Sequence, residues 1–283
     1  DVFQNQQLLG LFFSINVAFL LGLSDDAYDT KPLIKLGSQI LCGIILVNTG
    51  NEIMLFDQEW LNYSLTILWV VGIMNSINML DNMDSITTTT SIFIILTILG
   101  ISLPFSFVNN VHLFLIITAL GALCGFLLFN WNPAKMFMGD TGSQFLGIFL
   151  AAISIKYLWN HQPQYVDQSV GQQISIVLAT FVLPISDTTT VVINRIARGQ
   201  SPFVGGKDHT THHLSYLGLS DSQIGFVFIG ISIISLMLVV GAVKFVEIWT
   251  WVHTLIFVGY TLLIFGILFT ITKISGGKKD EEN

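Results

Sequence analysis

The sequence contains few charged residues. Only 10% of its 283 residues are Asp, Glu, Lys or Arg, and 52% are hydrophobic, whereas an ordinary soluble domain has about 25% charged residues. This shortage excludes a soluble globular domain and predicts an integral membrane protein. There are only two cysteines, Cys42 and Cys124, with no spacing typical of a disulfide framework or a metal site. Both lie in apolar segments, where a thiol behaves as a small apolar residue.

Long hydrophobic runs occupy most of the chain. Windows of about 19 residues, the length that crosses a bilayer as a helix, give nine candidate spans: 8–24, 33–50, 61–80, 87–106, 111–130, 143–159, 173–194, 223–243 and 248–272. The polar segments between them are short. The sequence therefore predicts an all-α integral membrane protein with a single polytopic domain over 1–283, a solvated tail at 274–283, and no nucleic-acid partner.

The positive charges are unevenly distributed between the polar segments. If residue 25 is cytoplasmic and the spans alternate, most Lys and Arg residues lie inside: Lys31, Lys35, Lys135, Arg195, Arg198, Lys207, Lys273, Lys278 and Lys279. Only Lys156 and Lys244 fall outside. This asymmetry predicts a cytoplasmic carboxyl terminus. Because the chain begins with Asp1, and no basic region precedes the first apolar run, we expect that this run is not a signal peptide. We expect further amino-terminal sequence.

The first motif, LSDDAYD, places Asp25 and Asp26 at the end of a span. Adjacent carboxylates near a low-dielectric surface repel each other unless a cation or a shared proton offsets them. They are equally compatible with a plain helix end whose acids are solvated. Lys31 and Lys35, which follow, could pair with these acids or bind phosphate.

The second motif spaces Asn75, Asn78, Asp81 and Asp84 three residues apart. On a helix this spacing forms one polar stripe. Amides and acids at the cytoplasmic end of a span are unfavourable against lipid, so the stripe should face the protein interior or a wet cavity. The alternative is a polar seam between packed helices.

The third motif, FMGDTGS, sets Asp140 among glycines just before a span. The start of a helix already favours anions through its free backbone N–H groups, so an acid there is not needed to bind phosphate. A carboxylate is needed if Mg²⁺ lies between it and a phosphate. Phe137 and Met138 could also be simple membrane-interface anchors.

The fourth motif lies in the long polar segment 195–222, where Lys207, His209, His212 and His213 follow two arginines. Adjacent histidines on a regular element cannot easily bind one zinc ion. Contact with phosphate suits this basic loop better, although it could also be a loop that only sets the topology. Asp187, just after Pro184 within a span, is a further functional candidate because intramembrane acids are energetically unfavourable and usually functional. The alternative is that it only pairs with a polar neighbour or lies where Pro184 breaks the helix.

These motifs fall on four loops assigned to the same membrane face, 25–32, 81–86, 131–142 and 195–222. We therefore expect one shared site at the cytoplasmic face. The order of the motifs resembles the polyprenyl-phosphate N-acetylhexosamine-1-phosphate transferases, specifically the bacterial undecaprenyl-phosphate GlcNAc-1-phosphate transferase branch. The resemblance covers about 21–222. The resemblance implies a fold with about eleven spans, so nine spans would mean that its first two are absent here.

The resemblance implies an enzyme of the bacterial plasma membrane whose site faces the cytoplasm. It would transfer N-acetylhexosamine-1-phosphate from a UDP-sugar to undecaprenyl phosphate and release UMP, with Mg²⁺ or alternatively Mn²⁺, in the synthesis of a cell-envelope glycan. A homodimer is left open. By motif position the roles implied are metal binding for Asp140 and Asp25, catalysis for Asp25, Asp26, Asp140, His212 and His213, and substrate binding for Asn78, Asp81, Asp84, Phe137, Lys31, Lys35, Lys207 and His209.

The sequence departs from the family pattern in the second and fourth motifs. Asn82 and Ser85 stand where glycines are usual, and the histidines are spaced H-T-T-H-H. One alternative is the phospho-MurNAc-pentapeptide transferase of peptidoglycan synthesis, whose histidine motif is usually three consecutive residues. An ion-coupled secondary transporter is an alternative of another class, but transporters place their acids near the membrane midplane, whereas these acids cluster at one face.

Overall fold

The computed structural model describes residues 5–103, 110–161, 169–202 and 205–281. The described residues form eleven α-helices and one π-helical segment. The helices are α1 (Gln6–Tyr28), α2 (Pro32–Asn48), α3 (Glu59–Leu80), α4 (Ile86–Ser102), α5 (Asn110–Asn130), α6 (Gly139–Ser154), α7 (Val170–Thr180), α8 (Val182–Ala197), α9 (Thr210–Tyr216), α10 (Asp221–Phe245) and α11 (Trp251–Glu281), and the π segment Ile155–Trp159 follows α6.

The protein is an all-helical integral membrane protein, as the sequence predicts. Within the described residues, each of the nine predicted spans overlaps a helix or a helix pair. The last three residues of the predicted span 87–106 lie outside the described residues. Among the described residues, six helices are long and apolar enough to cross a membrane, or seven if a bent pair forms one span, and α2 and α4 are shorter apolar helices. The exact count of nine spans therefore stays a prediction.

The predicted span 173–194 is not one continuous helix. It is broken between α7 and α8, whose axes are bent by 79°. Pro184 explains the break, because a proline ring clashes with the carbonyl group four residues earlier, and that residue, Thr180, is the last of α7. Pro184 itself lies in the first turn of α8, where a missing N–H is tolerated.

Contacts group the described residues into two compact units. Unit 1 comprises Asp1–Asn78 and Met138–Val177, and unit 2 comprises Met79–Phe137 and Leu178–Asn283. The prediction of one polytopic domain stays a prediction.

Close backbone contacts hold unit 1 together. Helix α1 packs against both α2 and α6. A Cβ atom built at Gly22 of α1 would lie 2.4 Å from the carbonyl oxygen of Asp140, and one built at Gly147 of α6 would lie 2.8 Å from the Cα atom of Met74 on α3. The absence of a side chain at these glycines allows α6 to approach both α1 and α3 at the distance of touching backbones.

Unit 2 has a buried apolar core. Helix α4 packs against α5 and α10, and α11 packs against α8 and α9. The core residues come from five of these helices and from the end of α3: Leu80, Ile86, Val182, Leu183, Leu214, Ile224, Phe228 and Leu268. This core fixes the short helix α9, which contains two of the predicted histidines, against the spans around it.

The polar stripe predicted on one helix is interrupted. Asn75 and Asn78 lie on α3, but α3 ends at Leu80, so the prediction that the stripe continues along a helix to Asp81 and Asp84 is wrong. The chain turns here instead, and Ser85 has a φ of 64°. This left-handed conformation costs a non-glycine residue about 1–2 kcal/mol, a strain that a glycine at this position would not have.

The tail predicted at 274–283 begins within a helix, because α11 extends to Glu281. Its last two residues lie outside the described residues. The prediction that the tail is solvated stays a prediction.

Candidate functional site

Four helix ends meet in unit 1, and each contributes a polar side chain. Asp25 is near the end of α1, Lys35 lies in the first turn of α2, Asn78 is near the end of α3, and Asp140 is the second residue of α6. We call these four residues the unit 1 cluster. Because all four lie at helix ends, the cluster is at one end of the unit rather than halfway along its helices.

Asp25 is the buried member of the cluster, with 5% of its surface exposed. Its Oδ1 atom accepts hydrogen bonds from the backbone N–H of Thr30 at 2.9 Å and from its hydroxyl group at 2.7 Å. Its Oδ2 atom forms an ion pair with Lys35. The turn after α1 therefore fixes the carboxylate and directs one oxygen toward the ammonium group of α2.

Lys35 also interacts with Asp140, whose Oδ2 atom lies 3.5 Å from its ammonium nitrogen. The other oxygen of Asp140 accepts a hydrogen bond of 2.6 Å from the amide of Asn78, which donates a second one of 2.8 Å to Ser143. Asp25 and Asp140 are thus neighbouring carboxylates that interact with the same cation. This is the offsetting positive charge that adjacent acids require.

Asp26 has a different partner from Asp25, although the two are consecutive. Its carboxylate accepts hydrogen bonds from the N–H groups of Asp140 and Thr141 at 2.8 and 2.9 Å, and from the Thr141 hydroxyl at 2.5 Å. Asp26 therefore caps the start of α6 from another helix. The start of a helix favours a nearby anion, and at α6 this anion is the Asp26 carboxylate.

The close approach of Gly22 on α1 to the start of α6 can be tested by substitution. We expect Gly22→Ala to lower the free energy of unfolding by about 1–3 kcal/mol, because the new methyl group would meet backbone atoms of Asp140 and Thr141 at 2.4–2.5 Å and the backbone cannot rotate away as a side chain can. The measurement is chemical denaturation in detergent micelles.

Gly37→Ala is the matched control, since nothing lies within 4 Å of a Cβ built there on α2. That substitution should leave stability unchanged or raise it by up to about 1 kcal/mol through helix propensity. If Gly22→Ala unfolds at the same denaturant concentration as Gly37→Ala, the close approach of α1 to α6 is not required.

The unit 1 cluster is suited to a hard divalent cation. Mg²⁺ is usually bound through one or two carboxylates together with water and substrate phosphate oxygens, and Asp25 and Asp140 provide two carboxylates. Within the described residues there is no group of three or more His, Cys, Asp or Glu side chains placed to hold a metal ion. Two carboxylates are fewer ligands than a closed structural metal site provides, so an ion held here would need further ligands.

A second polar cluster lies in unit 2 around Asp187, which is fully buried in α8. One carboxylate oxygen lies 2.8 Å from Nδ1 of His209. The other accepts hydrogen bonds from the backbone N–H of Thr210 at 2.8 Å and from its hydroxyl at 2.6 Å. The sequence singles out Asp187 but not its partner, and the structure shows that the partner is a predicted site histidine.

The other two histidines differ from His209 and from each other. The His212 ring is centred 5.9 Å from that of His209, and its buried Nδ1 atom has no hydrogen-bond partner within the described residues. Burial lowers the pKa of His212, and the neighbouring His209 lowers it further. His213 is buried, and its Nδ1 atom lies 2.6 Å from the Ser275 hydroxyl of α11. His213 therefore anchors α9 to α11.

Asp208 connects the loop before α9 to the end of α8. Its carboxylate accepts hydrogen bonds from Nε and Nη2 of Arg195 at 3.0 and 2.6 Å and from Arg198 at 2.6 Å. Arg195 also donates to the carbonyl oxygen of Pro202 at 2.9 Å. Burial by itself would raise the pKa of Asp208, but the two arginines hold it at about 2. This ion-pair network fixes the residue directly before His209.

The remaining predicted residues have varied positions. Asp84 accepts hydrogen bonds from Asn132 at 3.0 Å and from the Ala134 N–H at 2.9 Å, so it braces the loop after α5. Asp81 is half-buried in the turn after α3, and the Phe137 side chain is 75% exposed. Lys31 and Lys207 are exposed, and neither side chain forms an ion pair within the described residues. Their predicted roles in substrate binding stay predictions.

Sequence reasoning missed several residues that shape these clusters. Thr30 and Ser143 support Asp25 and Asn78 in unit 1. Asn130 in unit 2 accepts hydrogen bonds from the Ser85 N–H at 3.1 Å and the Thr88 hydroxyl at 2.7 Å. A polar residue at the end of an apolar span, as Asn130 is, could have been noticed. Thr30 and Ser143 have no comparable signal because hydroxyl residues are common at helix ends.

The apolar helices place the chain in the class of all-α integral membrane proteins, and the unit 1 cluster lies at the ends of four of them. Comparison with known proteins identifies the family. The model of glycosyl transferase family 4 matches residues 8–158, and the chain belongs to this family.

Curated relatives include several transferases. The chain is 34% identical over 230 residues to the probable undecaprenyl-phosphate N-acetylglucosaminyl 1-phosphate transferase of Bacillus subtilis, covering 75% of this chain and 61% of that protein. It is 27% identical over 226 residues to the decaprenyl-phosphate N-acetylglucosaminephosphotransferase of Mycobacterium leprae, covering 72% and 56%. It is 36% identical over 166 residues to the phospho-N-acetylmuramoyl-pentapeptide-transferase of Streptococcus thermophilus, covering 52% and 48%. The chain thus spans about half to three fifths of the length of these relatives.

Proposed function

We propose that this protein transfers N-acetylglucosamine-1-phosphate from UDP-GlcNAc to undecaprenyl phosphate and releases UMP, in a step that requires Mg²⁺. Membership of glycosyl transferase family 4 and the similarity to the Bacillus subtilis transferase support this proposal. The observation on which it mainly rests is the pair of carboxylates, Asp25 and Asp140, which two different helices hold against one ammonium group.

The chemistry requires the neutralisation of phosphate charge more than covalent participation by the protein. Asp140 and Asp25 would hold Mg²⁺, which when bound supplies positive charge to the phosphate oxygens. Asn78 keeps the Asp140 carboxylate oriented through its 2.6 Å hydrogen bond. Lys35 forms ion pairs with both carboxylates in this structure, and it would be available to a phosphate if Mg²⁺ replaced it as their counter-ion.

The position of the unit 1 cluster at helix ends supports a transferase over a transporter. Undecaprenyl phosphate has its phosphate at the level of the lipid headgroups, whereas the UDP-sugar is dissolved in water, so a common site must lie at a membrane face. A secondary transporter would place its ionisable residues near the midplane, halfway along its helices. The predicted cytoplasmic orientation of this face in a bacterial plasma membrane is part of the proposal, supported by the distribution of Lys and Arg.

The test is an assay of the purified protein in detergent with undecaprenyl phosphate, Mg²⁺ and a panel of UDP-sugars, with UMP as the product detected. We expect release of UMP that requires UDP-GlcNAc, the lipid phosphate and the metal together. The control omits the lipid phosphate, because UMP that comes from hydrolysis of the nucleotide sugar would still form without this acceptor. If no UDP-sugar gives lipid-dependent UMP, the proposed function is wrong.

The same panel decides a second candidate function. The Streptococcus thermophilus relative is 36% identical over its matched region, which favours testing UDP-MurNAc-pentapeptide as donor beside UDP-GlcNAc. UMP released from UDP-MurNAc-pentapeptide alone would assign the chain to phospho-MurNAc-pentapeptide transfer.

A further inference from the structure

The side chain of Asp187 is positioned to determine which nitrogen of His209 bears the proton. Asp187 is fully buried, and all of its observed hydrogen bonds go to two consecutive residues, His209 and Thr210. The Thr210 N–H can only donate, so the oxygen that faces it must accept. The other oxygen lies 2.8 Å from Nδ1 of His209, and an ionised carboxylate can only accept there as well.

This geometry determines the tautomer of a neutral His209. Nδ1 must be protonated in order to donate to Asp187, and Nε2 is then the unprotonated nitrogen. Nε2 makes no hydrogen bond to another described residue, and 8% of the side chain remains exposed. In this neutral tautomer, His209 therefore presents a hydrogen-bond acceptor at Nε2, not a donor.

We propose that Asp187 is a positioning residue that fixes His209 with Nε2 as an acceptor, and that this acceptor binds a hydroxyl or amide N–H group of the donor sugar. The inference rests on the proposed function and deepens it. Phosphate oxygens at neutral pH are acceptors, so they do not complement an unprotonated Nε2. The hydroxyl groups and the acetamido N–H of an N-acetylhexosamine are donors, and they do.

The isosteric substitution Asp187→Asn separates positioning from packing. The asparagine carbonyl oxygen must face the Thr210 N–H, because an amide NH₂ there would place two donors against each other. The NH₂ group then faces Nδ1 of His209, so Nδ1 becomes the acceptor and the proton moves to Nε2. The substitution keeps the size of the side chain and reverses the polarity that His209 presents, and a comparable change of tautomer is known to impair serine proteases.

The first measurement is nitrogen NMR of protein with ¹⁵N-labelled histidine at about pH 8, above the ordinary pKa of a free imidazole side chain. The His209 signals are assigned by their loss in His209→Gln. We expect Nδ1 to be protonated in the native protein and Nε2 to be protonated in Asp187→Asn. A native protein with a protonated Nε2, or an Asp187→Asn variant with an unchanged His209 tautomer, would overturn the inference.

The second measurement is the steady-state kinetics of UMP release. We expect Asp187→Asn to lower kcat/KM for UDP-GlcNAc by about 10- to 100-fold, the effect of placing one donor against another in a buried site. The same substitution in a His209→Gln background should cause little further loss, because Asp187 acts through His209. Glu247→Gln, which alters an exposed unit 2 carboxylate outside the four site loops, is the control and should retain the native rate.

The outcomes distinguish this inference from the proposed function. Full activity in Asp187→Asn, or equal additional losses in the native and His209→Gln backgrounds, would contradict the positioning role while leaving the transferase activity established. If the native protein forms no UMP, the proposed function fails, and the sugar contact inferred for Nε2 fails with it. The NMR measurement needs no activity and still decides the tautomer in that case.

Discussion

Asp140→Asn is expected to lower the rate of Mg²⁺-dependent UMP release by about 10³-fold or more, the scale of several kcal/mol of lost charge stabilisation. The fold should survive, because the asparagine oxygen can still accept the 2.6 Å hydrogen bond from Asn78. The substitution removes one negative charge from the cluster. Asp25 would then be the one remaining cluster carboxylate to balance the charges of Lys35 and a divalent cation. The measurement is UMP release at saturating UDP-GlcNAc over a range of Mg²⁺ concentrations.

A second readout separates loss of the metal site from loss of structure. Thermal unfolding of the native protein should shift upward when Mg²⁺ and UDP-GlcNAc are added together, by the linkage between binding and stability, and Asp140→Asn should lack this shift. Asp57→Asn is the matched control, since Asp57 is an exposed unit 1 carboxylate outside the cluster. A native rate in Asp140→Asn would remove Asp140 from the metal site.

Asp208→Asn is expected to lower the free energy of unfolding by about 3 kcal/mol near pH 7. The Arg195 side chain is only 6% exposed, and without the Asp208 carboxylate its buried positive charge would lose its main partner. Arg198 would lose less, because 49% of its side chain is exposed and solvent screens its interactions. Chemical denaturation in detergent measures the difference.

This effect should depend on pH in a defined direction. The folded protein holds the pKa of Asp208 at about 2, below its ordinary value of 3.8, so the stabilisation is fully present above the unfolded value. It is lost as the pH falls toward the folded value. The difference between the native protein and Asp208→Asn should therefore be constant from about pH 5 to 8 and shrink toward about pH 2. A difference that is equally large at the lowest pH would contradict the ion-pair explanation.

The spans were predictable because hydropathy depends on composition alone, and a bilayer requires about 20 apolar residues of helix. The break after Thr180 had a local signal in Pro184, since the effect of a proline reaches only four residues back. The turn after Leu80 has no such signal in the spacing of its polar residues. Polar residues spaced by three are compatible with a helix, and nothing in that spacing indicates that the chain leaves the helix before Asp81.

The partners of the site residues were harder to predict than the site residues themselves. Asp25 and Asp26 are chemically identical neighbours, and only the packing of α1 on α6 directs one to Lys35 and the other to Thr141. The pair of Asp187 and His209 joins residues that are 22 apart. Such pairings depend on tertiary geometry, which residue type and spacing do not predict.

The cap that Asp26 places on α6 has a mechanical consequence. Three hydrogen bonds tie the last turn of α1 to the first turn of α6, and these same two turns contain Asp25 and Asp140. Any tilt of α1 in response to the thickness of the surrounding lipid would pull the start of α6 along with it. Asp25 and Asp140 would then move together, so the distance between their carboxylates would not change when the bilayer deforms.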